Sequence, residues 1–331
     1  MRKLSLALIL LAASVAAHAA TSAQKCKYSR IAELPVWVQN GKPVTEGSIN
    51  GHKVGILLDT GAGPSIVHRA TVEKLGLTPV DVTGLRMFGS GGETAARAVQ
   101  IDEFKLGHAV RKEWRVLVSG EGTLGSNIAV VLGYDFFQNV DVEFDLPGGA
   151  VRFFQAEDCG NVALSYWTRD PAGQVAIEPG SQLELTVQVN GRPARAQLDS
   201  GTSTSVIESE LASQLGVTAK SPGVIPGGCN SGLGRNAIES WIGQFESFAI
   251  GHELIRSPKL RFAELWKDMT NTAATSGVGK NMEGLPSMLL GADFLRTHRV
   301  LIAHSQRKIY FTYAGGTVFP VELATACSPR S

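Results

Sequence analysis

Most apolar positions of the chain fall in short strand-like runs bounded by turn residues. Asn50-Gly51 and Asn190-Gly191 each sit between two such runs. This is a strong hairpin signal, because both central residues of the matching turn need positive φ. VDVEFDLPGGAVRFF (140–154) reads as a further hairpin turning at Pro-Gly-Gly, and HRVLIAHSQRKIYFTY (298–313) as its counterpart. Helical spacing is confined to brief stretches. HRATVEKLGL (68–77) and ESELASQLGV (208–217) each close on a Leu-Gly step that fits a helix stop. Another short helix is expected after LGYDFF and after LGADFL. The pattern predicts an all-β protein with a few short helices.

One apolar run is of another kind. After Arg2 and Lys3 comes LSLALILLAASVAA, closed by Ala17-His18-Ala19. This is a secretory signal pattern, too short and wrongly flanked for a membrane span, with cleavage expected after Ala19 or Ala20. The expected location is the periplasm, with the extracellular space as the alternative. No stable membrane anchor is expected.

The elements repeat. INGHKVGILLD (49–59) aligns with VNGRPARAQLD (189–199), and KLGLT (74–78) with QLGVT (214–218), at an offset of 140. FKLGH (104–108) matches FAIGH (248–252) at 144, and VLGYDFF (131–137) matches LLGADFL (289–295) at 158. The growth in the last offset places an insertion within 265–284. The expected division is a signal peptide at 1–20, lobes at 28–157 and 178–315, a linker at 158–177 and a tail at 316–331. Two lobes about a pseudo-twofold axis bring equivalent points together.

Composition narrows the function classes. Without Arg2 and Lys3, 29 basic side chains face 30 acidic ones, which gives no reason to expect nucleic acid or an anionic membrane as partner. Cys26, Cys159, Cys229 and Cys327 allow three disulfide pairings. Cys26–Cys159, which flank the first lobe, are favoured, leaving Cys229–Cys327. No CxxC, HExxH, GxSxG or phosphate-loop pattern occurs, and no metal or cofactor is expected.

LLDTGAGPSIV (57–67) and QLDSGTSTSVI (197–207) are the chemical candidates. Each puts an Asp after an apolar strand, where burial alone would be costly. Gly61 and Gly201 let the backbone turn and present N–H groups to the carboxylates. Thr60 and Ser200 carry hydroxyls that can donate and accept across an interface. If the axis passes between the loops, Asp59 and Asp199 lie side by side and share a proton, so one acid and one base stand at one point. Thr202 offers a hydroxyl where Ala62 offers none, which makes the two carboxylates unequal.

Asp59-Thr60-Gly61-Ala62 and Asp199-Ser200-Gly201-Thr202, with Val131-Leu132-Gly133 and Leu289-Leu290-Gly291 downstream, resemble the signatures of aspartic peptidases. The second loop and its helix are particularly similar to the retropepsin-like aspartyl proteases of bacteria. The resemblance implies a monomeric single chain of two retropepsin-like β-barrel lobes around a cleft, an endopeptidase acting on polypeptides through Asp59 and Asp199. It implies hydrogen bonds exchanged by Thr60 and Ser200, and a flap near 84–97 whose Phe88, Gly89, Ser90, Gly91 and Gly92 would meet substrate. The second-lobe equivalent would lie near 223–236. Asp135 and Asp293 are expected to cap the short helices that follow them. The alternative from another class is a peptide-binding or scaffold protein that keeps the cleft without hydrolysis.

Overall fold

The computed structural model describes residues 25–89, 92–119, 127–160, 162–180, 182–231, 237–267 and 284–321. The expected signal peptide, most of the expected insertion, Ser90, Gly91 and Cys327 lie outside the described residues. Strands dominate and helices are brief. The two helices behind the Asp loops are six residues each, Arg69–Lys74 and Ser209–Gln214. They are shorter than the sequence pattern suggests because the residues before them are drawn into strands Ile66–His68 and Val206–Glu208. Both stop where Gly76 and Gly216 take positive φ.

Each lobe is built on one sheet. The first has eight strands and the second nine. In the first, strand Lys42–Ile49 turns at Asn50-Gly51 into His52–Leu58. In the second, Glu184–Val189 turns at Asn190-Gly191 into Arg192–Leu198. All four turn residues have positive φ, as the hairpin type requires. Strand His52–Leu58 runs parallel to Ile128–Leu132, and Arg192–Leu198 parallel to Met288–Leu290. Ile128–Leu132 and Met288–Leu290 are buried throughout, which explains their unbroken apolar runs.

A third sheet joins the lobes. Its six strands run Lys27–Pro35, Ala150–Glu157, Asp141–Asp145, His298–Ala303, Lys308–Tyr313 and Gly173–Ala176. The two hairpins expected at 140–154 and 298–313 meet at its centre. There Glu143 pairs with Leu301, its own counterpart at the 158 offset, so the pseudo-twofold axis passes between them. The buried Glu143 is held by Arg152 and Arg299 at 2.6 and 3.0 Å. One continuous apolar core includes Ile56, Leu58 and Leu132 of the first lobe and Leu198, Leu290 and Phe294 of the second. Burial of such side chains contributes about 1.5–3 kcal/mol each.

Cys26 and Cys159 are bonded and fasten the first strand of the shared sheet to the end of its neighbour. Cys229 is also disulfide-bonded. Replacing Cys26 and Cys159 together by Ser opens a loop of 133 residues' separation. The expected loss is about 2–4 kcal/mol of stability. Urea unfolding of the oxidised parent and the variant checks it.

Candidate active site

The site forms where the two Asp loops meet on the pseudo-twofold axis. Leu58 and Leu198 are the last residues of their strands, and Asp59 and Asp199 follow at once. Each Asp N–H still donates to the neighbouring parallel strand, Asp59 to Leu132 O and Asp199 to Leu290 O, both at 2.9 Å. The chain then turns out of the sheet at Gly61 and Gly201.

Thr60 and Ser200 are fully buried and cross between lobes. Thr60 N–H donates to Ser200 Oγ at 2.9 Å, and Ser200 N–H donates to Thr60 Oγ1 at 3.1 Å. Each hydroxyl then donates to the strand end opposite, Thr60 to Leu198 O and Ser200 to Leu58 O, both at 2.7 Å. Three buried polar groups on each side, an N–H, a hydroxyl and a strand-end carbonyl, are thereby satisfied by the other lobe.

Above this exchange the carboxylates are held by their own loops. Asp59 Oδ1 accepts from Gly61 N at 3.0 Å and Ala62 N at 2.9 Å. Asp199 Oδ1 accepts from Gly201 N at 2.9 Å and Thr202 N at 3.1 Å. A Cβ on Gly61 would strike the Asp199 carboxylate, and one on Gly201 would strike that of Asp59. Each carboxylate therefore lies over the glycine of the opposite loop, and no larger residue fits there. Thr202 Oγ1 donates to Asp199 Oδ2 at 2.7 Å, a bond that Ala62 cannot give Asp59. Burial, and next the charge of Asp199, hold Asp59 well above the usual carboxylate range.

A second layer braces each loop from behind. Gly133 and Gly291 approach the loop backbones so closely that a Cβ would lie 2.8 Å from Pro64 and from Thr202 O, respectively. Tyr134 N–H donates to Ala62 O and Ala292 N–H to Thr202 O, both at 2.7 Å. Asp135 and Asp293 correct the sequence expectation. The helix caps are Gly133 and Gly291, without side-chain bonds, and both Asp residues sit inside the first turn. Their carboxylates instead accept from the loop serines: Ser65 N and Oγ reach Asp135 at 2.9 and 2.7 Å. Ser205 N and Oγ reach Asp293 at 2.7 and 2.6 Å. Ser65 and Ser205 each also accept from the glycine N–H, which closes the brace. Asp293 is buried, and that burial pushes its pKa up to about 6.

The family model described as aspartyl protease matches residues 45–136 and 185–294, one segment in each lobe and together more than half of the chain. The chain belongs to the aspartyl protease family. Among curated proteins none matches it.

Other residues singled out in the sequence lie around this centre. Strands Val80–Gly89 and Gly92–Leu106 form a hairpin, with Phe88 opposite Glu93 and Gly89 opposite Gly92. Ser90, Gly91 and the side chain of Phe88 lie outside the described residues. The second-lobe hairpin is Ile225–Ser231 with Ala237–Gln244, and Cys229 lies on its first strand. Cys327, which the sequence pairing assigns to Cys229, is outside the described residues. Sequence reasoning missed Arg296, whose Nη1 donates to Gly41 O of the first lobe at 2.8 Å and to Ser203 O at 3.2 Å. No motif marks it; only its closeness to LGADFL could have drawn notice. Among the described residues no cluster of three or more His, Cys, Asp or Glu could hold a metal ion.

Thr60→Ser keeps every bond of the exchange and is expected to cost less than about 1.5 kcal/mol. Thr60→Val leaves Ser200 N–H and Leu198 O buried without their partner, at about 2–5 kcal/mol. Urea unfolding of the two variants beside the parent distinguishes them.

Proposed function

We propose that this aspartyl protease family member is an endopeptidase that hydrolyses peptide bonds with a water held between Asp59 and Asp199. The observation that carries the reading is the opposed pair of carboxylates, each over the other loop's glycine, with Asp59 inclined to keep a proton. Two carboxylates this close ionise in sequence rather than together, so between the two steps they share one proton. In that state one carboxylate takes a proton from the attacking water. The protonated partner supplies one to the carbonyl oxygen as it gains charge. The leaving nitrogen is protonated as the tetrahedral intermediate collapses, and the dyad returns to one shared proton.

The loop N–H groups on each Oδ1 fix both carboxylates in place before substrate arrives. An extended peptide would lie between the lobes and add a strand against the hairpin Val80–Gly89 and Gly92–Leu106. The hairpin would serve as the lid. Disulfide bonding and the amino-terminal apolar run support export, with the periplasm as the compartment.

The test is cleavage of a denatured protein by the mature enzyme across pH 3–7, with a statine-containing peptide as inhibitor. Cleavage that the inhibitor blocks is expected. Asp59→Asn and Asp199→Asn should each lower kcat at least about a thousandfold, with far-ultraviolet dichroism unchanged. An enzyme inert at every pH that also fails to bind the statine peptide would overturn the proposal. Thr202→Ala removes a hydroxyl bond that favours the ionised carboxylate. The acidic limb of its pH–activity profile should therefore move up by about one pH unit, while the basic limb moves less.

A further inference from the structure

The two ends of the cleft are built from equivalent strands but do not carry equivalent charge. Lys42 opens the strand Lys42–Ile49, just after the Asn40-Gly41 turn. Gln182 stands at the same 140 offset in the second lobe that relates Thr60 to Ser200. The chain at both positions reaches the lobe junction, through Gly41 beside Lys42 and through Gln182 itself. A Cβ on Gly41 would lie 2.8 Å from Ser203 Cβ and 2.7 Å from Arg296 Nη1. On the other side Gly63, the first-lobe counterpart of Ser203, would bring a Cβ to 3.8 Å from Gln182 Oε1. The pseudo-twofold axis thus sets Lys42 at one end and Gln182 at the other.

Lys42 faces the site. Alternate residues of a strand share a face, so Lys42 shares one with Val44. Val44 packs with Leu57 and Val131 beside Ala62, the residue whose N–H holds Asp59. Lys42 is half-buried, and among the described residues its ammonium makes no ion pair or hydrogen bond. Its charge nonetheless reaches Asp59 and acts on it against burial and against Asp199. Arg296, the neighbouring cation, is occupied by Gly41 O and Ser203 O. A half-buried, unpaired ammonium beside a cleft is an attractive partner for an incoming carboxylate.

We infer that Lys42 forms a subsite for an acidic side chain of the bound peptide on one side of the scissile bond, and that the Gln182 end has no such preference. The inference rests on the peptidase reading and names the substrate class: extended peptides with Glu or Asp near the cleavage point, on that side alone. Carboxamide side chains can bond to either end. Only a carboxylate gains from the charge.

The experiment uses the mature enzyme and paired quenched peptides that differ only in Glu against Gln at each position flanking the cleaved bond. Cleavage is read as kcat/KM, and binding by calorimetry on Asp59→Asn. The parent should favour Glu about three- to tenfold on one side only. Lys42→Gln should bring that ratio to about one, Lys42→Arg should keep it, and Gln182→Lys should create a second preference on the other side. On neutral peptides, Lys42→Gln should also move the basic limb of the pH profile upward, because the lost cation no longer opposes protonation of Asp59. A purely structural lysine would move neither the ratio nor the limb. Cleavage without a Glu preference, or a preference that survives Lys42→Gln, overturns the subsite and leaves the peptidase reading intact. Glu-selective binding without cleavage of any peptide overturns the peptidase reading and leaves the subsite. Neither binding nor cleavage overturns both.

Discussion

Everything at the centre of this molecule depends on two hydroxyls that each complete the other lobe's backbone. Thr60 and Ser200 accept from one another's N–H and donate to the opposite strand end. Without them the last carbonyl of each strand and the first N–H of each loop would be buried and orphaned, which is expensive in a low-dielectric interior. The exchange therefore does more than join two lobes. It sets the height and spacing of the residues on either side, so Asp59 and Asp199 arrive over Gly201 and Gly61. The serine braces to Asp135 and Asp293 then keep each loop from tilting away. The shared sheet does the same at long range, since Glu143 and Leu301 pair across the same axis.

Within that symmetric frame the chemistry is unequal. Thr202 bonds to Asp199 where Ala62 leaves Asp59 without a hydroxyl. Asp293 is buried, whereas Asp135 in the equivalent brace is exposed. Lys42 has Gln182 as its counterpart, and His68, the last residue of its strand, has Glu208. A symmetric dimer must place identical residues about its axis. A duplicated single chain is free of that rule, and here the departures gather around the two carboxylates.

Much of this was legible in the sequence, for a physical reason. Turns and close approaches depend on residue type locally, so Asn50-Gly51, Asn190-Gly191 and the Asp-Thr/Ser-Gly loops declare themselves. The repeat then places equivalent points together without any knowledge of the sheets. What the sequence did not show depends on partners far along the chain. The pairing of Asp141–Asp145 with His298–Ala303 joins lobes through strands whose local pattern names no partner. Asp135 and Asp293 look like helix caps because they lie near helix starts, yet their bonds go to serines 70 and 88 residues earlier. Lys42 carries no local signal at all; its meaning comes from the strand face it shares with Val44 and from Gln182 at the matching offset.

The protonation of Asp59 follows from competing effects of different size. Lys42 and the N–H groups of Gly61 and Ala62 all favour a charged Asp59. Burial opposes them as the largest influence, and the neighbouring Asp199 adds to it, so the balance favours protonated Asp59. Asp199 has the same pair of loop N–H groups and in addition the Thr202 hydroxyl. The hydroxyl needs an acceptor, and an ionised carboxylate is the better one. On the proposed peptidase reading the proton would rest on Asp59 and Asp199 would act as the base. Lys42 tempers that bias without reversing it, because a half-buried cation acts more weakly than the desolvation of the carboxylate it faces.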